Sequence, residues 1–205
     1  MTREMRIHSG RLKGRQLPAA RGARPIGGRL KTSLFSVITP YLQGARVLDL
    51  CAGVGGMGLE ALSRGAAEVV LVDKDPRTCQ ALRGWIKKVD PRGGASVKRG
   101  DAASGPLPEG PFDVILLDPP FPAWAGPEAA KMIARAVDRL GPEGFLACKV
   151  PAKTDLPEDP RWEVIRRTAV ASAAYALIAR PEVSPDEPKA GAEDQAEGEG
   201  GRIEE

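Results

Sequence analysis

Two tetrapeptides constrain this chain more than any other feature: Val69-Val70-Leu71-Val72 and Val114-Ile115-Leu116-Leu117 are apolar at every position. A strand without a polar face must be covered on both sides, as in a mainly parallel sheet with helices on either flank. Short β-branched runs of this kind recur over 45–51, 68–73, 95–99, 112–118, 144–150, 162–168 and 171–179. Segments with helical spacing separate most of them, at 57–64, 76–89 and 127–140, and Pro76 and Pro127 suit the first turn of the last two. Only Ala171 and Ser172 stand near the turn between the last two strands, so that pair is expected to be an antiparallel hairpin. The pattern predicts an α/β fold: a doubly wound, Rossmann-like, seven-stranded and mainly parallel sheet that ends in an antiparallel hairpin.

Charge divides the chain into three parts. Residues 1–46 hold ten Lys and Arg against one acid, whereas residues 181–205 hold nine acids against two bases, so the formal net charge of +3 conceals a strong polarity. Three segments are expected: a basic hairpin and helix extension over 1–44, the α/β domain over 45–180, and a disordered acidic tail over 181–205. The tail has too little apolar surface to offset the entropy of ordering. Within the head, 5–17 reads as a hairpin around Lys13-Gly14, and 28–41 as a helix with Leu30, Leu34, Val37 and Ile38 on one face. No apolar run approaches the length a membrane-spanning helix needs, and the start lacks the apolar core of a signal peptide, so a cytoplasmic protein without membrane contact is expected. Cys51, Cys79 and Cys148 are far apart and, with the single His8, match no zinc spacing or CxxC pattern, so neither a metal site nor a disulfide framework is expected.

The chemistry-bearing residues fall at the ends of the predicted strands. Gly53, Gly55 and Gly58 form a G-x-G-x-x-G between strand and helix, where glycines let a backbone approach a ligand and aim helix N-terminal amides at it. Asp73 ends the next strand twenty residues after Gly53, where a carboxylate can accept both hydroxyls of a ribose. These features suit a nicotinamide-dependent dehydrogenase and an S-adenosylmethionine enzyme alike. Asp49, inside the first strand, departs from the apolar residue usual in dehydrogenases. Asp101, after the third strand, can accept an adenine amine while the backbone amide of Ala102 donates to the ring, although Gly-Asp is also a common turn. The sharpest motif is Asp118-Pro119-Pro120-Phe121. Consecutive prolines fix the backbone and remove two donors, which leaves the Asp118 carboxylate and the Pro119 carbonyl as a rigid pair of acceptors for an exocyclic amine. Phe121 offers a stacking face for a base.

With these residues in place the chain resembles the bacterial RsmD-type methyltransferases that modify guanine N2 in 16S ribosomal RNA. The likeness runs from about Met5 to Arg180. It rests on the opening Met5-Arg6-Ile7-His8-Ser9-Gly10-Arg11-Leu12-Lys13-Gly14-Arg15, on Gly58-Leu59-Glu60-Ala61-Leu62-Ser63-Arg64-Gly65-Ala66, and on the shared Asp49-Leu50-Cys51-Ala52-Gly53, Val72-Asp73-Lys74-Asp75 and Asp118-Pro119-Pro120-Phe121. The resemblance implies a class I fold in which Asp49, Gly53, Gly55, Asp73, Asp101 and Ala102 hold S-adenosylmethionine and Asp118 through Phe121 hold the target guanine. The implied partner is ribosomal RNA or the small ribosomal subunit, met by Arg6, Arg11, Lys13, Arg15, Arg24 and Arg29, with the enzyme acting as a monomer. The chain departs from the family in its Ile26-Gly27-Gly28 stretch, in Asp73 for the commoner Glu and in Phe121 for the commoner Tyr.

Other readings stay open on the residues alone. A methyltransferase for adenine N6 or a protein Gln shares the amine-acceptor logic, and a non-catalytic RNA-binding factor for ribosome assembly shares the basic head. Trp85 sits at helical spacing from Ala81, Leu82 and Val89, as a packing residue would, whereas Trp124 lies in a loop beside Phe121, where it can flank a substrate or pack.

Overall fold

The computed structural model describes residues 5–18, 28–91 and 93–181. Seven strands form one sheet: β1 (Arg46–Leu50), β2 (Glu68–Asp73), β3 (Ala95–Arg99), β4 (Phe112–Leu117), β5 (Leu140–Pro151), β6 (Glu163–Val170) and β7 (Ala173–Ala179), in the order β3-β2-β1-β4-β5-β7-β6. Strands β1 to β5 run parallel, and β7 pairs antiparallel with both β5 and β6. The turn between β6 and β7 takes Ala171 through φ 55°, and Val170 faces Ala173 across it. Among the described residues the α-helices are α1 (Gly28–Ile38), α2 (Gly58–Ser63), α3 (Pro76–Val89) and α4 (Glu128–Val137).

The doubly apolar strands are buried as their composition requires. Val69, Leu71, Val114 and Leu116 face a layer that holds α1, α2 and residues of α3, whereas Val70, Val72, Ile115 and Leu117 face the layer with α4. Asp75 starts α3 by accepting the amide hydrogen of Arg77 at 2.9 Å, with Pro76 next to it. Two helices end earlier than expected: the one over 28–41 stops at Ile38 and gives way to a 3-10 turn over Thr39–Tyr41, and the one over 127–140 also stops short. The fourth helix stops at Val137 and β5 begins at Leu140, which pairs with Phe112 before the register shifts at Val114. Gly144 lies so close to β4 that a Cβ there would be 2.6 Å from the Phe112 carbonyl oxygen, so only glycine lets the segment approach this closely.

The head is built into the domain. Arg6 and Gln16 form an antiparallel bridge, Gly14 N–H donates to the Ile7 carbonyl, and Ile7, Leu12 and Leu17 are buried in the same core cluster as Leu59, Leu62 and Leu82. The Glu60 carboxylate on α2 organises this docking. It accepts the amide hydrogens of His8 at 2.8 Å and Ser9 at 3.0 Å, and pairs with Lys31 at 3.0 Å and Arg64 at 2.9 Å. Burial pushes the Glu60 carboxyl upward, but Lys31 and the donated hydrogen bonds outweigh that and hold it below the usual range. Gly10, at φ 79°, lies against α2 where a Cβ would meet the Ser63 carbonyl oxygen at 1.7 Å. Two further bonds reach α3 and the residue beyond it: Trp85 Nε1 donates to the Gln16 carbonyl at 2.7 Å, and Arg11 pairs with Asp90 at 2.8 Å.

Candidate active site

Parallel strands bring their C-terminal ends to one edge, and the strand order reverses direction between β1 and β4, where ligands of such sheets bind. The predicted acids gather at this edge. Asp49 stands near the end of β1, Asp73 ends β2, Asp101 follows β3 and Asp118 follows β4. Cys51, the residue after β1, reports their convergence: burial first, and then the charges of Asp73, Asp49, Asp118 and Asp101, push its thiol up to about 12. Its backbone is held at φ 62°, an uncommon conformation for a residue with a Cβ.

The glycine loop opens toward these acids. Gly53, at φ 55°, has nothing within 4 Å of the position a Cβ would take, and its amide donates to Asp73 Oδ2 at 2.8 Å. Asp73 Oδ1 accepts the amide hydrogen of Asp75 at 2.9 Å, so two backbone donors orient the carboxylate and its remaining lone pairs stay available. Gly55, at φ 77°, is buried behind the loop against Leu59 and Leu82. Asp49 is buried, and its Oδ2 accepts the amide hydrogen of Gly58 at 2.7 Å. Burial raises its carboxyl to about 7, with the charges of Asp118 and Asp73 adding to the effect and the Gly58 bond opposing it. Asp101 shapes its own turn by accepting the amide hydrogen of Ala103 at 2.8 Å, and Ala102 is buried beneath it.

On the other side of β1, Asp118 leaves the sheet half-buried, Pro119 is buried, and the Phe121 ring is 39% exposed at the head of a short 3-10 turn over Phe121–Ala125. Sequence reasoning missed one residue here. Lys149 on β5 lies one residue beyond the Leu117–Cys148 pair, and its Nζ donates to Asp118 Oδ1 at 2.8 Å and sits 5.5 Å from the Phe121 ring centroid. Burial raises the Asp118 carboxyl and Lys149 opposes the rise. A charge inside the apolar run Ala147-Cys148-Lys149-Val150 was the available signal. Trp124 is partly buried against the α4 layer, and its buried indole N–H has no hydrogen-bond partner.

The predicted RNA contacts differ in what they already hold. Arg6, Lys13 and Arg15 are exposed on the hairpin, where Arg6 also donates to the Gly14 carbonyl, and Arg29 is exposed on α1. Arg11 spends its guanidinium on the buried Asp90. Arg24 lies outside the described residues, as does nearly all of the predicted acidic tail. Among the described residues no helix is long and apolar enough to cross a membrane, and no group of three or more His, Cys, Asp or Glu is placed to hold a metal ion.

The chain is similar to known proteins in sequence and fold. The ribosomal RNA small subunit methyltransferase D of Escherichia coli is 32% identical over 181 residues, 86% of this chain and 90% of that protein. The Bacillus subtilis protein YlbH is 36% identical over 163 residues, 75% of this chain and 86% of its own length. The solved structure of the Escherichia coli protein yhhF superposes with a TM-score of 0.75 at 31% identity, covering 86% of this chain and 98% of that one. A family model described as conserved hypothetical protein 95 matches residues 5–179, and the chain belongs to that family, the RsmD-type methyltransferases.

Proposed function

We propose that this protein transfers the methyl group of S-adenosylmethionine to the exocyclic N2 amine of a guanine in small-subunit (16S) ribosomal RNA. The observation that carries the reading is the pairing of two half-sites across β1: the open Gly53 loop with its oriented Asp73 carboxylate on one side, and the rigid Asp118–Pro119 acceptors with an exposed Phe121 on the other. The residues fit the methyl donor. The space at Gly53 admits a ligand against the backbone, Asp73 can accept the ribose hydroxyls, and the buried Asp49 can meet the cationic methionine end. Asp101 and the Ala102 amide are assigned to the adenine.

When bound, S-adenosylmethionine supplies an electrophilic methyl carried on a sulfonium. The chain's own task is to present the amine. A guanine N2 is a poor nucleophile because its lone pair is delocalised. Acceptance of its hydrogens by the Asp118 carboxylate and the Pro119 carbonyl orients it and favours pyramidalisation, while Phe121 stacks on the base. The N–C bond forms as the C–S bond breaks, and one amine proton then leaves, so no strong base is needed. The target base must leave its stack, at a cost of a few kcal/mol that contacts from Arg6, Lys13, Arg15, Arg24 and Arg29 to the RNA backbone can offset.

The test is incubation with methyl-labelled S-adenosylmethionine and, separately, 16S ribosomal RNA, small-subunit particles or DNA, followed by digestion. Label in N2-methylguanosine is the expected outcome. Label in N6-methyladenosine or in protein overturns the guanine assignment, and binding without turnover on any of these substrates overturns the enzyme.

A further inference from the structure

We propose that Lys149 is a positioning residue for the amine acceptor: from the neighbouring strand it clamps one oxygen of Asp118 and flanks Phe121, and so sets the carboxylate plane that the base meets. The inference rests on the reading of Asp118 as the acceptor. A carboxylate on a free side chain rotates broadly about its last bond. Here Asp118 Oδ1 is held at 2.8 Å by an ammonium whose own backbone is fixed between β4 and β7, where Lys149 pairs with Tyr175. The clamp leaves Oδ2 for the amine. The same ammonium lies 5.5 Å from the centre of the Phe121 ring, so one cation contacts both halves of the base-receiving motif.

The surroundings make the cation necessary. The groups that face Asp118 are Asp49 on β1, Cys51 beyond it, Cys148 on β5 and Tyr175 on β7. The titration of the two thiols and the phenol is pushed upward, so they carry no charge near neutral pH, and Asp49 is a second carboxyl that repels when it ionises. Burial alone drives Asp118 toward its neutral form, in which one oxygen becomes a hydroxyl and loses acceptor capacity. The Lys149 ammonium opposes that drive through its charge and its hydrogen bond.

The experiment compares wild type with Lys149→Met, Lys149→Gln, Lys149→Arg and Asp118→Ala. It measures single-turnover methyl transfer to unmodified 16S ribosomal RNA transcript, alone and in reconstituted small-subunit particles, as a function of pH, and follows the Asp118 carboxyl by 13C NMR in the ligand-free protein. The Met and Gln variants are expected to move the acid limb of the rate and the Asp118 titration together to higher pH by about one unit, a loss of about tenfold on the acid side that recovers under alkaline conditions. The Arg variant is expected to keep the wild-type limb. Binding of S-adenosylmethionine, followed by calorimetry, stays unchanged and shows that the variants fold. If the Met and Gln profiles and titrations superpose on wild type while Asp118→Ala is inactive, Lys149 has no positioning role although Asp118 remains the acceptor. If Asp118→Ala retains full activity, the acceptor assignment fails first and the inference falls with it.

Discussion

Asp49, sealed inside the first strand, holds the amide of Gly58 at 2.7 Å, and this single bond ties the floor of the glycine loop to the start of the helix behind it. Burial also raises this carboxyl from 3.8 to about 7. The folded protein therefore keeps this proton after the unfolded chain has released it. Stability falls as pH climbs from about 4 to about 7, and below that window the contribution is constant. Asp49→Asn keeps an acceptor for Gly58 without this dependence. Its stability relative to wild type is expected to grow by about 2 kcal/mol between pH 5 and pH 8 in urea unfolding. A cationic ligand favours the ionised carboxylate, so S-adenosylmethionine should bind wild type more tightly as pH rises through 7, a trend absent in Asp49→Asn.

Asp118→Ala should nearly abolish methyl transfer while the affinity for S-adenosylmethionine stays within a few fold, because the proposed partner of Asp118 is the nucleophile. Phe121→Ala should lower the rate on RNA by about tenfold or more through lost stacking, and Phe121→Tyr should be mild. Single-turnover rates and calorimetry on the same preparations separate the two effects.

Glu60 meets two amides and two cations, so its removal leaves Lys31 buried without a counter-charge. Glu60→Ala is expected to cost about 3 kcal/mol or more in denaturant unfolding, and to release the amides of His8 and Ser9 to rapid hydrogen exchange. Equal protection in wild type and variant would show that the core contacts of Ile7 and Leu12 dock the head on their own.

Each phosphate contact releases a counterion, so Lys13→Ala with Arg15→Ala should flatten the dependence of RNA affinity on salt by about 1.4 log units per log unit of salt for single-stranded RNA. Arg11→Ala is expected to behave differently. It strips the counter-charge from the buried Asp90, so unfolding measurements should register it more strongly than the salt slope. Filter binding across a salt series distinguishes the residues.

Much of this architecture is legible in the sequence because burial on both faces leaves a distinct trace. Val69 to Val72 and Val114 to Ile115 have no polar side to hide, and Asp75-Pro76 announces a helix start that the structure keeps. What the sequence concealed depends on partners far away in the chain. Leu140 joins the sheet because Phe112 lies beside it, a pairing no local period reports. Lys149 looks like a flaw in an apolar strand until Asp118 is seen one strand away. Arg11 reads as an RNA contact and Lys31 as one more charge of the basic head, yet they pair with the buried carboxylates of Asp90 and Glu60, which only the folded chain brings to them.

The order of the sheet bears on how the protein is made. Strand β7, the last to be synthesised, lies between β5 and β6 and supplies the hydrogen-bonded neighbour of each. Until Ala173–Ala179 has emerged, β6 has no strand to join and β5, with Lys149, remains a margin of the sheet. A growing chain can therefore assemble the glycine loop and its acids early, but it completes the neighbourhood of Asp118 and Lys149 only when the final strand slides into an interior slot, so a chain that stops short of that strand has the proposed donor half of the site and an unfinished surround for the proposed acceptor.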